Sequence, residues 1–255
     1  MRRASVWSLV ALLALTAACG PKKEAPAADT TAAMAPVPPA PRAVVTVIYN
    51  WPKDTVAFEK YYREVHVPLV GGAQGEIGFS AAELTRFTAG LDGKKPALYR
   101  QAELYFPSMD AAKAGVATPA FKRVADDLSN FATGGLAAMI ATETGDPNET
   151  PCPAFVTVIY NAPTDSAAFE TYYPTHLSIV GGGMTEIGFV RADLTKFVAN
   201  VDGSAPAKFR QAELCWPSAE ARTAGMATPA FKKVADDFPN FVTNGLTGMV
   251  GVTTN

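Results

Sequence analysis

Two histidines, His66 and His176, have the clearest capacity for chemistry in this sequence. Tyr62 lies four positions before His66, and Tyr173 lies three positions before His176. Either spacing keeps the phenol and the imidazole on one face of a helix. Because the unperturbed pKa of imidazole is near neutrality, each pair could move a proton to or from a phenol, an enol or a lactone. The alternative is a core histidine hydrogen-bonded to a backbone carbonyl.

The interval between tyrosine and histidine differs between the two pairs. The second interval is one residue shorter and begins with Pro174. A proline inside a helix removes a backbone N–H donor, so we expect the helix to bend or restart there. The two imidazoles should then point in different directions. The sequence therefore favours His66 over His176 as the reactive group.

Polar residues in the middle of two strand-like segments form a second group of candidates. Gln101 and Glu103 alternate with apolar neighbours, and Gln211 and Glu213 repeat the pattern. Burying such groups without partners is costly, so they need hydrogen bonds or water. They could belong to a binding pocket, or they could form a polar network that joins two sheets.

Two further candidate residues, a tyrosine and an asparagine, occur at the end of the first strand in each half. Asn50 and Asn161 could orient a ligand carbonyl, or they could fix the proline-containing turn that follows them. Tyr49 and Tyr160 could line a pocket for an apolar or aromatic ligand, or they could simply belong to the core. These alternatives stay open at the level of sequence.

Composition restricts the classes of function. The 255 residues include 22 Lys and Arg against 24 Asp and Glu, which argues against nucleic-acid binding. Two histidines and three cysteines without CxxC or HxxxH spacing argue against a zinc, haem or iron–sulfur protein. We find no Walker loop, no GxSxG and no GxGxxG after a strand. The sequence therefore predicts no metal, no tightly bound cofactor and no nucleic-acid partner.

An internal duplication organises most of the chain. VTVIYN occurs at residues 45–50 and again at 156–161, and EIGF, RQAEL, ATPAFK and VADD each occur twice. The pattern predicts two domains, at 43–144 and 154–255, joined by a linker at 145–153. In each, β-branched runs and amphipathic helices follow the order βαββαβ.

This order predicts an α+β fold made of two ferredoxin-like repeats. Helices on one face would leave the other sheet face bare, so we expect the two sheets to pack together as an intramolecular α+β barrel, monomeric in solution. Asp54 should cap the long helix, Gly71-Gly72 should end it, and a strand should run from about residue 77 to 87.

The N-terminal segment resembles a secretion signal. Residues 1–19 contain two arginines, a short apolar run and LTAAC, which is similar to a bacterial lipobox in which Cys19 would be lipidated. The alternative is an ordinary cleaved signal peptide. Residues 20–42 contain six prolines and read as a disordered tether. We expect a cell-envelope protein anchored by its lipid, at the periplasmic face of the outer membrane.

Two acidic pairs and two cysteines are the remaining candidates for a chemical role in the repeats and the linker. The acidic pairs at 126–127 and 236–237 lie on helices, where adjacent side chains diverge, so we interpret them as a solvated face. Cys152 and Cys215 could form a disulfide in an oxidising compartment, although spacing alone does not fix their distance.

The motif IYNWPKDTVAFEKYYREVHVPLV, followed by AELYFPS and VADDLSNFATGG, resembles the EthD family of the dimeric α+β barrel superfamily. The resemblance covers both copies, at 44–144 and 155–254. It implies an α+β barrel and a reductase or oxidoreductase label. Superfamily relatives include cofactor-independent monooxygenases, lactone isomerases and polyketide cyclases, although fold analogy alone is a weak guide to function.

Three functions are compatible with these observations. The first is a cofactor-independent oxidoreductase or isomerase that acts on a small apolar or aromatic compound, with His66 as the proton-transfer group. The second is a non-catalytic lipid-anchored binding or scaffold protein for an apolar ligand, and the third is a purely structural envelope lipoprotein. The feature that separates them is whether Tyr62 and His66 face a cavity.

Overall fold

The computed structural model describes residues 41–145 and 152–254 of the chain. The first strand of each copy is rich in β-branched and aromatic residues, which favour extended backbone. The strands of the first copy are β1 (Arg42–Tyr49), β2 (Ala81–Gly90), β3 (Arg100–Phe106) and β4 (Leu136–Thr144). Those of the second copy are β5 (Ala154–Tyr160), β6 (Arg191–Asn200), β7 (Arg210–Trp216) and β8 (Leu246–Thr253).

The eight strands close into one antiparallel barrel in the order β1-β3-β2-β8-β5-β7-β6-β4. Two seams, β2–β8 and β4–β6, join strands of different copies. Closure pairs the strand edges that each four-stranded sheet would otherwise expose. The expected fold, two ferredoxin-like repeats in an intramolecular α+β barrel, is therefore confirmed.

Helices lie on the outer face of the barrel. The first copy has α1 (Thr55–Tyr61), a π-helical turn (Tyr62–His66), α2 (Val67–Ile77), α3 (Met109–Val116) and α4 (Pro119–Asp127). The second copy has α5 (Ser166–Ile187), α6 (Ala219–Met226) and α7 (Pro229–Asp237). A 3₁₀ turn follows each last helix, at Leu128–Asn130 and Phe238–Asn240. Among the described residues, no helix is both long enough and apolar enough to cross a membrane.

The long helix of the first copy begins as predicted and ends later than predicted. The side chain of Asp54 accepts hydrogen bonds from the N–H groups of Val56 and Ala57, which is the expected N-cap. The helix passes through Gly71-Gly72 and ends at Gly78, whose φ of 85° suits glycine. Ile77 is buried in the core, so packing outweighs the low helix propensity of the two glycines. Strand β2 consequently begins after the predicted residue 77.

The corresponding helix of the second copy does not restart at Pro174. Helix α5 is continuous from Ser166 to Ile187 with the proline inside it, so the restart that we gave as one of two expected effects does not occur. Phe169 and Ile187, on either side of Pro174, are both buried against the sheet. This packing holds the helix together despite the missing N–H donor.

The predicted domain boundaries fall close to the ends of the strands. Arg42, assigned to the tether from the sequence, instead begins β1, and its guanidinium pairs with Glu143 at 2.8 Å. The proposed signal segment and the tether up to residue 40 lie outside the described residues, as do residues 146–151 of the linker. Cys152 and Cys215 form a disulfide with their Cα atoms 5.6 Å apart, which ties the end of the linker to β7.

The polar residues of β3 and β7 lie inside the barrel. Gln101 Nε2 donates to Glu213 Oε1 at 3.4 Å, and Gln211 Nε2 donates to Glu103 Oε1 at 3.1 Å. All four side chains are at most 1% exposed. Since each hydrogen bond connects one copy to the other, these residues form the polar network between the sheets that was one of the two interpretations.

The interior carboxyl groups are far from water. Burial, together with the charges of neighbouring carboxylates such as Glu83, raises the pKa of Glu213 to about 8. Burial and the charge of Glu213 also raise the pKa of Glu103 well above its usual range. The folded barrel therefore favours protonated forms of this pair.

Replacing Glu213 with glutamine should flatten the dependence of stability on pH. A carboxyl group with a higher pKa in the folded protein than in the unfolded protein binds its proton more tightly when folded. The free energy of unfolding then falls as pH rises from about 4.5 through about 8. We expect Glu213 to account for a loss of about 2 kcal/mol in the wild type between about pH 6.5 and 8.5, since one pKa unit corresponds to about 1.4 kcal/mol. Urea denaturation at both pH values measures this loss.

The matched control is Glu76→Gln, which removes an exposed carboxylate from α2 and should leave the wild-type pH dependence unchanged. Equal pH dependence in wild type and Glu213→Gln would show that the interior carboxyl does not titrate as described.

Candidate functional site

The two copies use different helix geometry to place a tyrosine and a histidine on the sheet-facing side. In the first copy the segment Tyr62–His66 forms a π-helical turn, and the N–H of Val67 donates to the carbonyl of Tyr62. A π turn accommodates one extra residue within an otherwise regular helix. In the second copy Tyr173 and His176 lie on the α-helical α5, which lacks that residue.

The two imidazoles make the same contact. His66 Nδ1 lies 2.8 Å from Asp127 Oδ2, and His176 Nδ1 lies 2.8 Å from Asp237 Oδ2. The expectation that the two imidazoles point in different directions is therefore wrong. The π turn absorbs the additional residue of the first copy, so the difference in spacing does not change the partner. The geometry gives no reason to prefer His66 on this ground.

The carboxylate that holds each imidazole is itself held by two other side chains. Asp127 Oδ1 accepts hydrogen bonds from the Tyr61 hydroxyl at 2.7 Å and from Asn130 Nδ2 at 2.9 Å. Asp237 Oδ1 accepts the corresponding bonds from Tyr172 and Asn240, at 2.9 and 2.8 Å. Each histidine thus belongs to a cluster whose members come from the long helix and from the end of the last helix.

Sequence reasoning missed Asp127 and Asp237. It assigned both acidic pairs to a solvated face, which is true of Asp126 and Asp236, whose carboxylates pair with Lys122 and Lys232. The pattern Asp-x-x-Asn, present at 127–130 and again at 237–240, is the signal that could have found the partners of the histidines.

Both imidazoles are neutral near pH 7, because burial lowers their pKa values. Burial lowers the pKa of His66, and the hydrogen bond and charge of Asp127 offset only part of this effect. Burial alone would raise the pKa of Asp127, but hydrogen bonds from Tyr61 and His66 hold it below its usual value. Because a carboxylate can only accept, we assign the imidazole hydrogen to Nδ1, which leaves the Nε2 lone pair available.

A cavity of about 460 Å³ lies between the helices and the outer sheet face of the first copy. Tyr62 and His66 line it from the helix and Tyr49 lines it from β1, so three of the predicted site residues surround the same cavity. Burial raises the pKa of Tyr62 to about 12, so its phenol stays protonated. Arg100 lies over the Tyr62 ring, 4.8 Å from its centroid.

The second copy has an equivalent but smaller cavity of about 260 Å³. Tyr160, Tyr173 and His176 line it, in the positions that correspond to Tyr49, Tyr62 and His66. Aliphatic side chains form most of the remaining lining of both cavities.

The remaining predicted site residues lie elsewhere. Asn50 Nδ2 donates to the carbonyl of Gly134 at 3.1 Å, and Asn161 Nδ2 donates to the carbonyl of Asn244 at 2.9 Å. Both asparagines therefore fix the loop before the last strand of their copy, and neither lines a cavity. The side chains of Gln101, Glu103, Gln211 and Glu213 point into the barrel, on the opposite side of the sheet from both cavities.

Chemically, each site offers a neutral base and a phenol donor beside an apolar cavity. Within residues 41–145 and 152–254 there is no group of three or more His, Cys, Asp or Glu side chains arranged to hold a metal ion. The arrangement is suited to proton transfer on a molecule that is itself largely apolar.

Replacing Asp127 with asparagine should lower the pKa of His66. The charge and hydrogen bond of Asp127 favour the imidazolium, so their removal leaves the unfavourable effect of burial uncompensated. Titration followed by NMR of the two histidine rings measures both pKa values in one sample. The pKa of His176 should not change, because its partner is Asp237.

Asp126→Asn is the matched control, since it removes the neighbouring carboxylate without touching the imidazole. A fall in the pKa of His66 that is equally large in both variants would contradict the assigned contact.

Comparison with known proteins identifies the family of this chain. The family model described as the EthD domain matches residues 52–135. An uncharacterised 11.0 kDa protein of the thcB–thcC intergenic region of Rhodococcus erythropolis is 38% identical over 99 residues, which cover 39% of this chain and 92% of that protein.

Two solved structures are similar to this chain to different degrees. A protein described as anthrone oxidase-like is 13% identical, with a TM-score of 0.54 over 84% of this chain and 92% of that chain, a likeness that shows the fold alone. An EthD family protein from Bacillus halodurans is 24% identical and covers 39% of this chain and 95% of that chain, with a TM-score of 0.36. The relative from Rhodococcus is 38% identical over 92% of its length, and the EthD domain model matches the first copy. This chain therefore belongs to the EthD family.

Proposed function

We propose that the first copy binds a small apolar or aromatic molecule and that His66 transfers a proton on that molecule. The observation that carries the proposal is a neutral imidazole, held by Asp127, on the wall of a cavity of about 460 Å³. This volume lies within the range of about 300–1,000 Å³ that is typical of small-molecule sites.

The cavity wall favours a ligand with a large apolar surface. Val47, Leu84, Leu104 and Leu136 contribute aliphatic side chains to it. Burial of apolar ligand surface there contributes about 25 cal/mol per Å². A ligand oxygen or acidic hydrogen would find its polar partners at the end where Tyr62 and His66 lie.

The proposed step is removal of a weakly acidic proton. The Nε2 lone pair of His66 accepts the proton from a C–H or O–H bond, and the bonding electrons stay on the ligand as an enolate or a phenolate. Tyr62, whose pKa is about 12, keeps its own proton and can donate a hydrogen bond to the developing oxygen anion. Return of the proton to another carbon completes an isomerisation without net oxidation and without a cofactor.

Oxidation of the same enolate would require dioxygen as the electron acceptor. The similarity to the anthrone oxidase-like protein makes anthrone a suitable probe, because its methylene group is a carbon acid flanked by aromatic rings. In that reaction one anthrone and one dioxygen would give one anthraquinone and one water. The proposal concerns the proton-transfer step, which precedes any such oxidation.

His66→Gln should reduce proton transfer much more than it reduces binding. General-base catalysis contributes about 10²–10⁴-fold, so exchange of the anthrone methylene hydrogens with D₂O under nitrogen should slow by at least about 100-fold. Anthrone affinity, measured by fluorescence, should change only a few-fold, because glutamine keeps the site filled and polar.

His176→Gln is the matched control and should leave the exchange rate on anthrone unchanged, because the smaller second cavity does not suit three fused rings. Binding by the wild type without accelerated exchange would favour the alternative, a non-catalytic binding or scaffold protein. Unchanged exchange in His66→Gln would remove His66 from the proposal.

We further propose that the protein acts in the cell envelope as a monomer held by a lipid on Cys19. The Cys152–Cys215 disulfide supports an oxidising compartment. Monomeric behaviour is supported by the closed barrel, in which each copy already pairs with the other.

Cys19→Ala should release the protein from the membrane fraction of cells that express the full chain. Lipidation supplies about 0.8 kcal/mol for each buried CH₂ group, so its loss should abolish membrane binding. Fractionation and immunoblotting measure the distribution, and Cys152→Ala should remain with the membrane as the control. Retention of Cys19→Ala in the membrane would contradict the anchor.

A further inference from the structure

The second copy keeps the complete histidine cluster but surrounds it with a smaller cavity, about 260 Å³ against about 460 Å³. We propose that this second cavity is a separate ligand site that admits single-ring molecules and excludes fused rings. Its size limit is set by Leu177, Phe238 and Leu91. The inference rests on the proposed function, because it assumes that the first cavity is a ligand site.

Two of these residues replace smaller residues at equivalent positions. Leu177 follows His176 as Val67 follows His66, and both line their cavities. Phe238 occupies the position of Leu128 in the 3₁₀ turn after the last helix. The Phe238 ring centroid lies 5.2 Å from that of His176, so the aromatic ring occupies space beside the imidazole.

The third difference comes from the opposite copy. Leu91, at the tip of the β2–β3 hairpin, lines the second cavity, and Val201, at the tip of the β6–β7 hairpin, lines the first. The N–H of Leu91 donates to the carbonyl of Gly248 at 3.1 Å, and the N–H of Val201 donates to the carbonyl of Ala138 at 3.0 Å. Each cavity is therefore completed by a residue of the other copy.

The residue beneath each hairpin tip is smaller where the side chain at the tip is larger. A Cβ atom at position 248 would lie 2.3 Å from Leu91 Cδ1, so a side chain there would displace the leucine from its present position. In the first copy, Ala138 lies beneath the smaller Val201 and carries the Cβ that Gly248 lacks. The leucine side chain of the second cavity thus packs against the backbone of Gly248.

The second site also retains the groups needed to bind a polar atom. Tyr173 lines the cavity, and its buried hydroxyl has no hydrogen-bond partner among the described residues. An unpaired buried hydroxyl is unfavourable, and a hydrogen bond with a ligand oxygen within reach would offset that cost. His176 is held by Asp237 as His66 is held by Asp127, so a small phenol matches both the volume and the polar groups.

The test uses two probes on the full folded region of the chain. N-phenyl-1-naphthylamine, followed by fluorescence, represents fused-ring ligands, and p-cresol, followed by calorimetry, represents single-ring ligands. We expect the wild type to bind one N-phenyl-1-naphthylamine and two p-cresol molecules per chain. Binding of p-cresol to the second site should perturb the NMR signals of the His176 ring.

Two reciprocal variants exchange the two size-determining residues that lie beside the imidazole and leave the hairpin tips unchanged. Leu177→Val/Phe238→Leu should raise the stoichiometry of N-phenyl-1-naphthylamine to two per chain. Val67→Leu/Leu128→Phe should weaken binding of this probe to the first copy by at least about tenfold, since one methylene in an apolar pocket changes affinity by about 10–200-fold. Each substituted residue already occurs at the equivalent position of the other copy, and thermal denaturation checks that both variants fold.

Two outcomes would overturn the inference while leaving the proposed function intact. The first is wild-type binding of two N-phenyl-1-naphthylamine molecules with similar affinity. The second is binding of p-cresol to the first copy alone, with no response from His176. Failure of the proposed function is recognised separately, because it appears as unchanged anthrone exchange in His66→Gln.

Discussion

Closure of the barrel is the constraint on which the rest of this structure depends. Each copy covers one face of its four-stranded sheet with helices and leaves the other face bare. The seams β2–β8 and β4–β6 join the two sheets, so both bare faces become one interior. This interior contains glutamate and glutamine side chains, and their hydrogen bonds run between copies. The outer faces are consequently free to form cavities beneath the helices.

The histidine clusters show how the same local geometry can arise from unequal sequences. The first copy uses a π turn to accommodate an extra residue, and the second uses a continuous α-helix that contains Pro174. In both, the imidazole meets an aspartate at 2.8 Å. Contact with the end of the last helix, and not the regularity of the long helix, therefore determines where the imidazole lies.

Much of the fold could be predicted from the sequence, because repeated strand and helix patterns are local signals. Burial of Ile77 extended the helix beyond Gly71-Gly72, and packing on both sides kept Pro174 within a helix; neither effect is visible without the sheet. Tyr62 and His66 could be found from their spacing. The repeated Asp-x-x-Asn pattern marks Asp127, but its contact with His66 depends on how a helix 61 positions away packs beside the histidine.

Each hairpin tip lines the cavity of the other copy, and this arrangement affects how the two cavities can evolve. A barrel assembled from two identical chains must carry two identical sites, because any substitution appears in both. Here one continuous chain carries Leu91 with Gly248 on one side and Val201 with Ala138 on the other. Because the two copies are parts of one chain, a substitution can occur in one copy without the other. Each cavity can therefore diverge while the shared barrel stays the same.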